Sequence, residues 1–147
     1  MVASIRPRRS LLYMPGSNAR AIEKGRSLGA DALILDLEDS VTLENKEAAR
    51  RAVCDWVEQA DFGAKECLVR INPQDSPWGR DDAEAIASVH PDGLVLPKVS
   101  SRANVDAVDQ VVSSIEERND VQPGATSLVL IGTELPEAVF CLADMAG

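Results

Sequence analysis

The fold this sequence predicts is α/β: a parallel (β/α) barrel of the TIM type, held as about five βα units over residues 1–147. Two observations carry the prediction. Short apolar runs alternate with helical stretches, which implies right-handed βαβ units and a parallel sheet. Each apolar run also ends in polar or charged residues: Tyr13-Met14-Pro15-Gly16, Asp36-Leu37-Glu38-Asp39, Arg70-Ile71-Asn72, Pro97-Lys98 and Glu134. In a parallel sheet these ends share one side and build a mouth. A closed barrel takes eight strands and typically ~250 residues. A chain ending at Gly147 is therefore expected to hold strands one to five and to associate, either with itself or with a chain that completes the barrel. A flavodoxin-like sheet of five strands uses the same alternation and is the competing fold.

The elements follow in order. Ser10 to Met14 is the first strand, closed by the turn signal Pro15-Gly16. Ser17 or Asn18 caps a helix to about Leu28, with Gly29 as its stop. Ala32-Leu33-Ile34-Leu35 is an unbroken apolar run, as in a strand buried on both faces. After Thr42 comes a helix whose apolar face reads Ala49, Ala52, Val53, Trp56, Val57 and Ala60. Glu66 to Asn72 is the third strand, Pro73 to Trp78 a loop, and Ala83 to Val89 a short helix. Gly93 to Pro97 is the fourth strand. Ser101 opens a helix with Val105, Val108, Val111, Val112 and Ile115 on one face. Leu128 to Ile131 is the fifth strand, and Pro136 suits the first turn of a final helix.

Composition narrows the class. The chain is 45% hydrophobic and only 3% aromatic, so its core is aliphatic. The net charge of -9 argues against non-specific nucleic-acid binding, which needs clustered cations. No glycine-rich phosphate loop of the GxGxxG or Walker type is present. No apolar run approaches the ~20 residues of a membrane span. Cys54, Cys67 and Cys141 form no CxxC pair and read as reduced thiols of a cytoplasmic protein. Arg6, Arg8 and Arg9 leave room for a very short transit segment only. His90, in the loop before the fourth strand, falls on the side away from the mouth.

The residues converging on the mouth are Tyr13, Asp36, Glu38, Asp39, Arg70, Asn72, Lys98 and Glu134. Carboxylates mixed with two fixed cations suit a hard divalent ion bridging an oxyanionic substrate. Arg70 has the planar fork for a carboxylate; its bland alternative is an ion pair with Asp36 or Glu38. Lys98 alternatively just neutralises the acidic mouth, and Glu134 alternatively caps a helix. Arg20 and Lys24 lie one helical turn apart and share a face.

At these motifs the chain resembles the citrate lyase beta-subunit-like family of the HpcH/HpaI aldolase superfamily, which includes citramalyl-CoA and malyl-CoA lyases. The pieces are Arg9 to Gly16, Asp36-Leu37-Glu38-Asp39-Ser40-Val41, Arg70-Ile71-Asn72, Leu96-Pro97-Lys98 and Glu134, in the family's order. The resemblance implies the N-terminal half of a Mg²⁺-dependent (β/α)8 enzyme, usually trimeric or hexameric. Such an enzyme cleaves a β-hydroxyacyl-CoA ester to acetyl-CoA and a keto acid. It implies Glu134 as a metal ligand and Arg70 as the group binding the substrate carboxylate or carbonyl. Tyr13, Arg20 and Lys24 would line the CoA path, and Asp36, Glu38, Asp39 and Lys98 would stand beside the metal, holding its waters. Arg20 replaces the lysine common in relatives. The family's second metal-binding aspartate lies on the sixth strand, beyond this chain, and Asp144 does not match it. The isolated chain is therefore expected to have little or no lyase activity. Two other readings remain: a non-catalytic acyl-CoA or dicarboxylate binder, and an aldolase for a free 2-keto-3-deoxy acid.

Overall fold

The computed structural model describes residues 7–146; Arg6 and Gly147 lie outside the described residues. The elements run β1 (Leu11–Pro15), α1 (Ala19–Ser27), β2 (Ala32–Asp36), α2 (Lys46–Gln59), β3 (Glu66–Arg70), α3 (Gly79–Ala87), β4 (Gly93–Leu96), α4 (Arg102–Arg118), β5 (Ser127–Leu130) and α5 (Leu142–Met145). Two 3-10 turns, Leu43–Asn45 and Pro136–Cys141, precede α2 and α5.

All five strands are parallel and pair in the order β1-β2-β3-β4-β5. Each strand thus neighbours the one before it in sequence. A flavodoxin-like sheet has strand order 2-1-3-4-5 and helices on both faces. Here the helices pack on one face only. The larger apolar cluster joins the strand residues Leu35, Val69 and Leu94 to Ile22, Val53, Ile86, Val108 and Ile115 of the helices. The other cluster, Ala32, Ile34, Leu68 and Val95 with Val129 and Ile131 against it, contains no helix residue. Consecutive parallel order with one-sided helices is the wall of a (β/α) barrel.

The apolar periodicity explains the helices. Asn18 caps α1 by accepting from the Ala21 N–H at 3.0 Å. Ala49 and Val53 of α2, and Val108, Val112 and Ile115 of α4, are buried at helical spacing. Ser101 and Asn104 form a capping box at the start of α4. Two elements depart from the sequence reading. α3 starts at Gly79, four residues before Ala83, because Asp82 turns inward and bonds backbone and side chain of Asn72. The segment after Pro136 is a 3-10 turn and then a four-residue helix.

The rim opposite the mouth is closed by ion pairs. Arg8 grips Glu66, 2.6 Å from its Nε to Oε2. Asp31 accepts from the Arg9 side chain and from the backbone N–H groups of Arg9 and Ser10, and Arg9 above all holds its carboxyl down at about 2. His90 sits on this side, 3.2 Å from the Asn119 amide nitrogen. Cys67 is buried in the core, which pushes its thiol up to about 12. No helix among the described residues is long and apolar enough to cross a membrane.

Candidate active site at the carboxyl ends of the strands

Register brings the polar strand ends together. Asp36 and Arg70 are partners across β2 and β3. Arg70 donates from Nε to Asp36 Oδ1 at 2.7 Å and from Nη2 to Oδ2 at 2.8 Å. Its Nη1 lies 3.0 Å from Glu38 Oε2 and 3.8 Å from Asp39 Oδ2. The guanidinium also stacks 4.9 Å from the Tyr13 ring centre. Asp36 accepts two backbone N–H bonds as well, from Glu38 at 2.9 Å and Ser40 at 3.1 Å. These bonds fold the chain after β2 into the turn that carries Glu38 and Asp39. Burial pushes the Asp36 carboxyl up, but Arg70, Ser40 and the Glu38 amide outweigh it and hold the group below its ordinary value. Burial likewise opposes the charge of Arg70, and Asp36 and Glu38 overcome it, so its pKa rises.

Across the mouth stands Lys98. Its Nζ bonds Glu38 Oε1 and lies 3.3 Å from Glu134 Oε1 and 3.6 Å from Asp39 Oδ1. Its backbone N–H donates to Glu134 Oε2 at 2.9 Å. Lys98 has φ of 50°, a left-handed conformation uncommon for a non-glycine residue and frequent at functional sites. Burial lowers its pKa, but the bond to Glu38 and the charges of Glu38, Glu134 and Asp39 outweigh that and leave it raised.

Glu38, Asp39 and Glu134 each offer a carboxylate oxygen within 4.8 Å of the others, the one group among the described residues with metal-ligand spacing. Glu38 is 4% exposed, and its Oε2 has the Arg70 guanidinium Nη1 3.0 Å away as an ion-pair partner. Three carboxylates gathered this closely repel one another unless cations stand between them. This donor set fits a hard divalent cation. Asp36 stands apart from it, since its oxygens are taken by Arg70 and the two amides. A cleft of about 270 Å³ opens beside Lys98, lined by Asn72, Pro97, Leu135 and Glu137 among others. Tyr13 is 44% exposed at the inner edge of the mouth. Arg20 and Lys24 are exposed on α1, whose N-terminus faces the same side.

Sequence reasoning missed the buried polar network beneath the mouth, Lys46 and Asp82 above all. Lys46, at the start of α2, is 5% exposed. Its Nζ donates to Leu37 O at 2.8 Å, and to Glu38 O and Asn72 Oδ1 at 2.7 Å each. Trp78 covers it, 5.6 Å from the ring centre. Burial lowers its pKa, against the pull of Asp82 and Asp36. The signal was available: a cation in a helix's first turn opposes the macrodipole, so it needs another reason to be there. Asn72 passes the network on to Asp82 at 2.6 Å, and Asp82 to Arg50 at 2.6 Å.

The sequence profile of the HpcH/HpaI aldolase/citrate lyase family matches residues 9–145. The chain belongs to this family. Its HpcH/HpaI relatives include a (3S)-malyl-CoA thioesterase of Cereibacter sphaeroides, 45% identical over 115 residues, which are 78% of this chain and 40% of the relative. The citrate lyase beta subunit of Escherichia coli K12 is 38% identical over 141 residues, 96% of this chain and 46% of the relative. Among solved structures, CitE of Mycobacterium tuberculosis in complex with magnesium and acetate superposes with a TM-score of 0.65 at 26% identity, covering 92% of this chain and 48% of that one. The chain thus spans less than half the length of these curated relatives.

Proposed function

We propose that this chain carries the metal- and carboxylate-binding part of a Mg²⁺-dependent carbon–carbon lyase site. Its substrate is a β-hydroxyacyl-CoA ester of the citramalyl-CoA, malyl-CoA or citryl-CoA kind, released as acetyl-CoA and a keto acid. The observation that carries the reading is the convergence of Glu38, Asp39 and Glu134 within 4.8 Å, flanked by the anchored guanidinium of Arg70. Glu134, Glu38 and Asp39 would hold the cation. When bound, Mg²⁺ supplies Lewis acidity toward the substrate oxygen on which negative charge develops.

The protein side of the chemistry follows from the geometry. Asp36 fixes Arg70 by two bonds and Tyr13 fixes its plane. Two of the five guanidinium donors are spent on Asp36, and Nη1 lies toward the acidic mouth. It can hold the free carboxylate of the acyl chain in register for bond cleavage. The cleft beside Lys98 has room for a short acyl chain. Arg20 and Lys24, with Tyr13, would meet the coenzyme's phosphates. By the same analogy the assembled enzyme is a homo-oligomer.

A second reading has its own support, the malyl-CoA thioesterase among the relatives. Hydrolysis and carbon–carbon cleavage differ in products. Malyl-CoA incubated with Mg²⁺ gives acetyl-CoA and glyoxylate by the lyase route, and malate with free CoA thiol by hydrolysis. From this chain assembled with the segments that complete the barrel we expect the first, abolished by Glu134→Ala, and little or none of it from the 147-residue chain alone. Free thiol without glyoxylate would replace the lyase reading by the hydrolase. Ligand binding by the 147-residue chain that Glu134→Ala leaves unchanged, with no turnover, would favour a non-catalytic binder.

A further inference from the structure

We propose that Lys98 is a resident stand-in for the divalent cation, and that metal binding proceeds by exchange: the ion takes the place of the Lys98 ammonium among Glu38, Asp39 and Glu134. The inference rests on the metal-site reading above and goes beyond it by assigning a cation already built into the chain. Lys98 Nζ bonds Glu38 and lies 3.3 Å from Glu134 and 3.6 Å from Asp39, so one ammonium contacts all three members of the metal-spaced group. A metal ion and this ammonium would compete for the same oxygens. Charge supports the exchange. Four carboxylates, Asp36, Glu38, Asp39 and Glu134, face two cations, Arg70 and Lys98. The cluster is short by two positive charges, the charge of the ion it would take. Both cations already converge on Glu38: Arg70 Nη1 stands 3.0 Å from its Oε2 and Lys98 Nζ bonds its Oε1, which leaves Asp39 and Glu134 to share the Lys98 ammonium.

The backbone holds Lys98 ready for the exchange. Its left-handed φ of 50° places the residue at the rim, and its N–H anchors Glu134 Oε2 at 2.9 Å independently of the side chain. Glu134 therefore keeps one fixed oxygen when the ammonium leaves. Lys98 lines the adjoining cleft with Asn72 and Leu135, so the displaced ammonium has a place to go, beside where an anionic ligand would lie. Without the exchange the three carboxylates would repel one another in the metal-free protein. With it the triad stays assembled in both states.

The test is Mn²⁺ binding by the 147-residue chain, read from the loss of the free-ion electron paramagnetic resonance signal, with no substrate present. Lys98→Met removes the charge; Lys98→Gly removes it while favouring the left-handed backbone; Lys98→Arg keeps it. Circular dichroism checks that each is folded. We expect Lys98→Met and Lys98→Gly to bind Mn²⁺ at least tenfold tighter than wild type, and Lys98→Arg no tighter. Affinity unchanged or weakened in both neutral variants would overturn the exchange. The metal reading would survive that result if wild type binds Mn²⁺ and Glu134→Gln does not. Absence of Mn²⁺ binding in every folded variant would remove both.

Discussion

Replacing Lys46 by Met keeps the aliphatic stem under Trp78 and deletes the ammonium. Three acceptors lose a donor. Leu37 O still accepts from Asn72 Nδ2, and Glu38 O from the Val41 N–H. Asn72 Oδ1 is left alone, and an orphaned buried acceptor costs about 1–3 kcal/mol. Each of the two carbonyls loses a charge-assisted bond, about 1 kcal/mol net apiece once recovered ammonium desolvation is counted. The sum is about 3–5 kcal/mol. With a urea m-value of about 2 kcal/mol/M for a domain of this size, the midpoint falls by about 1.5–2.5 M. Urea unfolding followed by tryptophan fluorescence measures it. A double-mutant cycle with Asn72→Ala should show a coupling above about 0.5 kcal/mol. A midpoint shift under 0.3 M (about 0.6 kcal/mol by the same m-value) would refute the view of Lys46 as the hub that ties β2, α2 and β3 beneath the mouth.

Other outcomes follow from the same geometry. Gly16→Ala puts a Cβ about 2.8 Å from both Asp36 O and Val53 Cγ2, so stability should fall by about 1–3 kcal/mol in thermal unfolding. The Asp31 carboxyl, held at about 2, adds stability that is complete above its ordinary pKa of 3.8 and lost as pH falls through about 2. Asp31→Asn should therefore flatten the acid limb of a stability–pH curve between those values and leave it unchanged in shape at neutral pH. Cys67, pushed up to about 12, should resist iodoacetamide in the native protein at pH 8 while Cys54 and Cys141, both partly exposed, react faster; denaturation should equalise them.

Much of the fold was legible because buried parallel strands announce themselves as apolar runs. Ala32 to Leu35 and Gly93 to Leu96 are such runs, and all their residues are buried. The same property hides which residue faces which side. Leu33 packs away from the inner cluster and Ile34 within it, yet both are large and aliphatic. The strand ends were legible as a set because polar residues are expensive inside such a sheet. An ion pair of Arg70 with Asp36 or Glu38 was one of the readings open in the sequence, and the structure forms both; that Glu38 and Asp39 also meet Glu134 was not legible, since it depends on register and on the turn the Glu38 and Ser40 amides make. Lys46 was hidden for a different reason. In Glu44-Asn45-Lys46-Glu47 it stands among surface charges, and only its place in the first helical turn, against the macrodipole, sets it apart. Asp82 was missed likewise, since an aspartate after Trp78-Gly79 reads as loop or cap, and only the fold brings Asn72 and Arg50 to it.

The strand order has a consequence for how the chain is made. Every strand pairs with the strand that precedes it in sequence. Among the described residues no pairing waits for a distant segment, so the loops to be closed are short and the entropic penalty of each closure is small. A chain of this order can fold as it emerges from the ribosome, laying each βα unit against the edge left by the last. The acidic mouth forms on the same schedule. Asp36 meets Arg70 when β3 docks, Lys98 joins with β4, and Glu134 arrives last, onto a carboxylate cluster whose first counter-charges are already in place.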